Sequence, residues 1–535
     1  VSDVRGGWRQ ELGVVVLVLL IGGLVKGWLF AGTQVLARDS VGYILYAYRL
    51  GCEPWPAVLR SEQQHPLYPV AIFGVQRVLR MFGEGESRSL HWQTAAQTAN
   101  LLSGLILAVP MYLLGQELFN RRVGFWAAVS FQVMPVPARI TADALSEGTY
   151  LLWASVALLL AVKAWRLRRP AGLLLSGMAA GLAYLTRPEG GFLPAAIAGV
   201  MVVAQAIPAW RQPWSRWAWG LTLMALGFVS LAAPYWITIG GLTNKPASLD
   251  LFRWLHQQLA AGEGSASGVP GCLLASRFTD GVDGVPRPAV GPFYALAEVL
   301  DEVCKGFNYS AWLPLVLGLG WYFRQARRSP GLLLVLLLIL VQLLVLWLVA
   351  YRARYVSERH TLLVVLCGCV LALATLFHWA AIAAIWGRRS PWGSAGWRRL
   401  LGRRNLRGLV HLAMIFLVAA ALVQTLKPLH EHRLGHKMAG LWLAQNLRPG
   451  DRLVDPYGLA GYYAEQRWPG TDDRSPVSKG YRYLVVELAD LDRHRRELVE
   501  EELSRLAQAT VVFAWPDFQQ AELVVYRGSG GKPSP

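Results

Sequence analysis

Residues 331–350 read GLLLVLLLILVQLLVLWLVA, twenty in a row without a charge and with Gln342 as the one strongly polar side chain. Wound as an α-helix rising about 1.5 Å per residue, such a stretch measures roughly 30 Å, the thickness of a bilayer's hydrocarbon core. Ten further stretches share its character: 12–30, 95–118, 123–138, 148–164, 171–185, 191–208, 217–239, 311–323, 361–386 and 409–426. The composition agrees: 54% of the 535 residues are hydrophobic and 16% are charged, against about 25% charged in soluble chains. A soluble enzyme, a disordered chain, collagen and a coiled coil are thereby excluded. The 23 tryptophans suit amphipathic rings at the level of lipid headgroups. The fold expected is a mainly α polytopic membrane protein of about eleven spans. The first stretch is too long for a signal peptide and lacks a small-residue cleavage site, so it reads as an anchor.

Lys and Arg fix the orientation. With Arg5 and Arg9 inside, every inner connection is basic: Arg121 and Arg122; Lys163, Arg166, Arg168 and Arg169; Arg211 and Arg216; Arg324, Arg327 and Arg328; and the arginine-rich 388–407. The positive-inside rule requires this, and it accounts for the net charge of +18 without a nucleic-acid partner. The protein is expected in the plasma (inner) membrane, N-terminus cytoplasmic. Residues 66–82 would invert all later loops if they crossed. With Pro66, Pro69, Arg77 and Arg80 they read as an amphipathic helix lying in the interface. Lys26, near the outer end of the first span, reads as a snorkelling residue.

From about residue 430 the pattern changes. A helix at 438–447, strand-like runs at 452–454, 483–486, 511–514 and 523–526, and a charged helix at 490–507 read as a small soluble α/β domain on the outer side. The expected division is 1–429 for the membrane domain, 430–527 for the α/β domain and 528–535 for a disordered tail. Of the five cysteines, Cys272 and Cys304 share one long polar loop and would pair only in an oxidising compartment; Cys367 and Cys369 lie mid-span and read as packing.

The polar residues of interest fall on the outward side. Arg38, Asp39 and Ser40 precede Tyr43, Tyr46 and Tyr48; Glu62 and His65 follow; a second turn holds Arg139, Asp143 and Glu147; others hold Arg187 and Glu189, then Arg354, Tyr355 and Arg359. Carboxylates gathered at the outer ends of spans can share one partly desolvated cavity, where burial suits a general base. Glu62, His65 and Asp143 are the candidates for a divalent metal.

An Asp after the first span, a Tyr-rich short helix, His-Pro-Leu-Tyr-Pro at 65–69, Ala-Leu-Ser-Glu at 144–147 and Gly-Leu-Ala-Tyr-Leu-Thr-Arg-Pro-Glu-Gly at 181–190 resemble the GT-C membrane glycosyltransferases. Within them the likeness is to the protein O-mannosyltransferases and the lipid A aminoarabinose transferase (glycosyltransferase family 39). The resemblance implies a GT-C fold. It also implies a transferase moving a sugar from a polyprenyl-phosphate carrier to an acceptor protein, lipid or glycan at the outer face, with inversion. Asp39 matches the family's first-loop acid, the expected catalytic base, with Asp143 and Glu147 as further acids. Arg38, Tyr43, His65, Arg187, Glu189, Arg354, Tyr355 and Arg359 are the expected contacts to donor phosphate or substrate. The chain departs from the family in having Ser40 where many relatives carry a second acid, and His65-Pro66-Leu67 where the aminoarabinose transferase has Lys-Pro-Pro.

Plainer readings stand beside these. Asp39 would also serve as an N-cap, His65 as a residue that orients its loop, Asp143 and Glu147 as caps of the fourth span, Arg187 as a structural partner of Glu189, and Arg352, Arg354 and Arg359 as snorkelling side chains. His430, His432 and His436 read as surface residues. As a whole the chain could instead be a polytopic transporter, or a non-catalytic scaffold with a soluble binding domain. The lack of internal repeats and of midplane charge argues against a transporter.

Overall fold

The structure is a computed structural model and describes residues 2–83, 87–208, 210–211, 213–245, 291–353, 355–389, 403–468, 480–488 and 493–530. Arg354, Cys272 and most of the expected inner arginine loop lie outside these residues, so the Cys272–Cys304 pairing does too. The first span belongs to α1 (Ser2–Gly32). Three short helices follow, α2 (Ser40–Cys52), α3 (Trp55–Ser61) and α4 (Leu67–Arg80). At fourteen residues α4 is too short to cross; it buries Tyr68 and Ile72, while its Val78 and the following Met81 and Phe82 are exposed, as at an interfacial helix.

Among the described residues eight helical stretches are long and apolar enough to span: Arg9–Gly32, Arg88–Leu118, Glu147–Leu167, Pro188–Ala206, Trp214–Ile239, Pro330–Arg352, Glu358–Ile382 and Gly408–Thr425. They are carried by α1, α5 (Arg88–Ile106) with α6 (Ala108–Leu118), α9 (Glu147–Leu167), α11 (Phe192–Ala206), α12 (Trp214–Ile239), α16 (Pro330–Ala353), α17 (Leu362–Arg389) and α18 (Arg403–Thr425). The remaining three expected spans are shorter pieces. Residues 123–138 divide into α7 (Arg121–Val133) and α8 (Pro135–Ile140). Pro135 forces Met134 out of the helical region, to ψ 140°, because its ring crowds the preceding residue. α10 (Ala171–Thr186) is apolar but only sixteen residues long. Residues 311–323 break into α14 (Trp312–Leu317) and α15 (Leu319–Ala326), which follow α13 (Pro292–Gly306).

Small residues bring the bundle together. A Cβ on Gly177 of α10 would lie 2.1 Å from the Met224 carbonyl oxygen of α12, and one on Gly227 of α12 2.2 Å from that of Leu174. Packing of this closeness drives helix association where lipid competes equally for apolar side chains. One side chain enters the core against expectation. Lys26 does not snorkel; it is 1% exposed and donates to the Thr141 hydroxyl, which the end of α8 carries to the flank of α1.

The C-terminal region holds α19 (Leu434–Asn446), β1 (Arg452–Val454), α20 (Leu459–Tyr463), β2 (Tyr481–Glu487), α21 (Arg493–Ser504), β3 (Leu506–Trp515) and β4 (Leu523–Gly530). The sheet order is β1-β2-β4-β3, with β1 parallel to β2 and the other pairs antiparallel. β4 runs through Gly528–Gly530, three residues into the stretch expected to be a disordered tail. The short helix α20, absent from the sequence reading, clamps the first loop. Its Tyr463 hydroxyl donates to Gln93 Oε1 at 2.8 Å and accepts the Leu36 N–H at 3.2 Å, and Tyr462 donates to the Ser89 carbonyl at 2.6 Å.

The α10–α12 contact yields a stability test. Gly177→Val overpacks it, and the expected cost is about 1–3 kcal/mol or more, seen as a lowered unfolding temperature of the detergent-purified protein. Gly23→Ala, with nothing within 4 Å of its added carbon, leaves that temperature unchanged.

Candidate functional site

The spacing of the helices gathers polar residues from five segments at one end of the bundle. Asp39, before α2, could have capped that helix but makes no side-chain cap bond. Its Oδ2 instead accepts from Arg359 Nη1, on the turn before α17. Partial burial acts to raise the Asp39 carboxyl, but the Arg359 guanidinium, helped by Arg38, outweighs it and holds the group below its ordinary range. Asp39 is therefore ionised at neutral pH, and its side chain is 48% exposed.

Glu147 opens α9, and Arg187 follows the end of α10. Arg187 Nη1 donates to Glu147 Oε1 at 2.6 Å, and its Nε and Nη2 reach Glu189 at 3.4 and 3.3 Å. Glu147 and Arg187 side chains are 3% and 9% exposed. The backbone turns sharply here because Gly190 lacks a side chain; a Cβ would lie 2.3 Å from the Tyr184 nitrogen. Asn100 of α5 fixes the other wall, donating to the Ile140 and Asp143 carbonyls at 2.9 and 2.8 Å and accepting the Gly148 N–H at 2.8 Å. Tyr43 joins through its hydroxyl, 3.1 Å from Ser146 Oγ.

Among the described residues, two charged side chains of this cluster each have a buried atom without a hydrogen-bond partner: Glu147 Oε2 and Arg359 Nε. Leaving such atoms unpaired costs about 1–3 kcal/mol each, more when charged, so unpaired groups of this kind mark a place for a further polar group. Lys245 Nζ stands 4.0 Å from Glu189 Oε1. Glu189 acts to raise the ammonium's pKa, yet burial and repulsion from Arg187 and Arg359 prevail and lower it. An anion would relieve that repulsion. Lys245 was missed in the sequence because it sits in a long loop with no motif. Thr243 and Asn244 position it: the Lys245 N–H donates to Thr243 Oγ1 at 3.1 Å, and Asn244 Nδ2 donates to the Leu59 and Glu62 carbonyls, both at 3.1 Å.

Asp143 lies beside this cluster rather than in it. Its Oδ1 accepts the Ala144 N–H at 2.7 Å and its Oδ2 pairs with His430 Nε2 at 2.7 Å. With Arg139, Glu358, Arg359 and His430 it lines a cavity of about 260 Å³. His430 and His436, read as surface residues, are both paired; buried His436 Nε2 lies 3.1 Å from Glu487.

The metal candidates do not assemble. Glu62 pairs with Arg49 at 2.5 Å. His65 is buried, with Nδ1 2.6 Å from the Tyr184 carbonyl and Nε2 3.0 Å from the Thr243 hydroxyl. The carbonyl can only accept, so Nδ1 carries the proton and Nε2 receives the hydroxyl's. His65 is thus a neutral brace between α10 and the Lys245 loop, not an open phosphate or metal contact. No group of three His, Cys, Asp or Glu side chains suited to a metal occurs among the described residues. Arg38 and Tyr355 are exposed beside the site or its rim.

Residues 65–236 match the model of the dolichyl-phosphate-mannose-protein mannosyltransferase family. No curated protein matches the sequence. The structure resembles that of ArnT from Cupriavidus metallidurans bound to undecaprenyl phosphate, with a TM-score of 0.58 and 15% identity over 96% of this chain and 98% of that one. It also resembles the archaeal oligosaccharyltransferase AglB from Archaeoglobus fulgidus in complex with an inhibitory peptide and a dolichol-phosphate. There the TM-score is 0.55 and the identity 14%, over 85% of this chain and 63% of that one. The chain is an integral membrane protein with the GT-C fold.

The His65 brace has a pH signature. Burial, opposed in part by the Tyr184 carbonyl, lowers its pKa from 6.5 to about 4. Between those values the unfolded chain binds more protons than the folded one, so this group's contribution to stability is lost as pH falls from 6.5 toward 4. Unfolding temperature measured across that window should fall less steeply for His65→Gln than for wild type; identical slopes would contradict the neutral brace.

Proposed function

We propose that the protein transfers a sugar from a polyprenyl-phosphate-linked donor to an acceptor hydroxyl or phosphate on the outer side of the plasma membrane, inverting the anomeric carbon. The observation that carries this reading is the charged cluster at one end of an apolar bundle, with Glu147 Oε2 and Arg359 Nε buried and unpartnered among the described residues. A lipid-borne phosphosugar must reach a polar site from within the bilayer, and a cluster at the ends of the spans meets that need. Three carboxylates, Asp39, Glu147 and Glu189, face four cations, Arg38, Arg187, Lys245 and Arg359. The excess of positive charge favours an anionic leaving group. The match of residues 65–236 to a lipid-phosphate-sugar transferase family and the fold shared with two lipid-phosphate-bound structures support the same donor class.

For an acceptor hydroxyl, the oxygen attacks the anomeric carbon as the bond from that carbon to the donor phosphate breaks. The acceptor proton passes to the Asp39 carboxylate, and the electron pair leaves with the phosphate. Arg359 and Lys245 take the leaving phosphate, since both are more exposed than Arg187. Arg187, held by two carboxylates, positions Glu147 and Glu189. Arg359 holds Asp39 in the absence of substrate, which keeps the carboxylate ionised but weakly basic. Drawing Arg359 toward the phosphate frees Asp39 to accept the proton. The reading assigns 1–429 to the transferase domain and 430–527 to an outer domain that braces the first loop.

Asp39→Asn should lower transfer from a synthetic polyprenyl-phosphate sugar by about 10²–10⁴-fold, with expression and donor binding retained. Turnover within about tenfold of wild type would remove Asp39 from the chemistry.

A further inference from the structure

A second cavity, also of about 260 Å³, opens at the other end of the bundle. It lies between the end of α9, the starts of α10, α12 and α16, and the end of α11. α9 begins at Glu147 in the charged cluster and ends at Leu167 beside this cavity. Its 21 residues separate the two by roughly 30 Å, the thickness of the hydrocarbon core.

Among the described residues the lining contains Arg166, Arg168, Arg216 and Arg328, the indoles of Trp165, Trp210 and Trp217, and no acidic residue. Arg166 pairs with Glu117 outside the cavity. Arg168, Arg216 and Arg328 make no ion pair among the described residues. Arginines at span ends commonly snorkel singly to the headgroup layer. Arg168, Arg216 and Arg328 are exposed, yet they line one concavity together with no carboxylate among its described residues, so an anion entering it meets three cationic side chains at once. A further group points to what that anion carries. Gln205, also in the lining, has its Oε1 buried without a hydrogen-bond partner among the described residues, so the site offers an acceptor that calls for a donor. On the same helix ends that form the cavity, Leu175 of α10, Val202 and Val203 of α11, and Trp214 and Trp219 of α12 are exposed and apolar, a surface for acyl chains.

We propose that this cavity binds the headgroup of an anionic glycerophospholipid from the leaflet opposite the charged cluster. The phosphodiester sits against Arg168, Arg216 and Arg328, and a headgroup hydroxyl donates to Gln205 Oε1. Basic pockets between spans are suited to such headgroups, and a phosphate–guanidinium pair gains from matched planar geometry. A phosphatidylglycerol meets both demands. A phosphatidylethanolamine supplies a donor but brings a positive charge into an already cationic site.

Native mass spectrometry of the full chain in detergent tests the proposal, with dioleoylphosphatidylglycerol, dioleoylphosphatidylethanolamine and glycerol 3-phosphate as probes. One phosphatidylglycerol per chain should bind in preference to phosphatidylethanolamine. The Arg168→Gln, Arg216→Gln, Arg328→Gln triple variant should weaken that binding by roughly a hundredfold. If the triple variant elutes as aggregate in gel filtration, Arg216→Gln alone replaces it, with a loss of about fivefold expected. Equal retention of the two lipids by wild type, or unchanged phosphatidylglycerol binding in the folded variant, overturns the proposal. So does glycerol 3-phosphate binding as tightly as the lipid, which would make this a site for a soluble phosphate. None of these readouts depends on sugar transfer.

Discussion

The ion pair between Glu147 and Arg187 ties together the parts of this molecule that must stay in register. Glu147 starts α9, Arg187 ends the α10 segment, and Glu189 leads into α11. A charge at the edge of hydrocarbon is costly without a partner, and removing one member of a buried pair typically costs about 3–5 kcal/mol. Three helix ends are thus held at one level by a requirement of electrostatics rather than by apolar packing, which is indifferent between a neighbouring helix and lipid. The same fixed frame determines where Arg359 and Lys245 stand, since both approach it from separate segments. His65 supports it from beneath as an uncharged brace, and α20 holds the loop that carries Asp39.

Much of this was legible in the sequence because membrane spans announce themselves. An uncharged run such as 331–350 has one physical interpretation, and arginine-rich connections alternate with acidic and aromatic ones. The string from Gly181 to Gly190 also carried its meaning locally: a helix end, an arginine, a proline and a glutamate two residues on. Asp39 and Arg359 were each singled out, but their pairing was not, because 320 residues separate them. His430 with Asp143, 287 residues apart, and Lys26 with Thr141, 115 apart, were hidden for the same reason.

Proline and a delivered hydroxyl account for other differences between sequence pattern and fold. Residues 123–138 contain Pro135 and Pro137, and the restriction that proline places on its predecessor breaks the segment at Met134. Lys26 was read as snorkelling because that is the usual outcome for a lysine near a span end. A hydroxyl delivered by α8 gave it an internal partner instead, something periodicity cannot reveal. Lys245 had neither motif nor helix to mark it; its place depends on Asn244 being anchored to α3. In sequence His65 could be a phosphate contact, a metal ligand or a residue that orients the loop, and in space it is the last of these, because Tyr184 and Thr243 occupy both nitrogens.

The central claim is that the Arg359 and Lys245 end of the bundle receives a lipid phosphate. A cryo-electron microscopy structure of the protein with an added polyprenyl phosphate tests it most directly. The account predicts phosphate density within hydrogen-bonding distance of Arg359 and Lys245, with Arg359 drawn away from Asp39. Density for the phosphate at any other place on the protein, with the Arg359–Asp39 pair undisturbed, would contradict it.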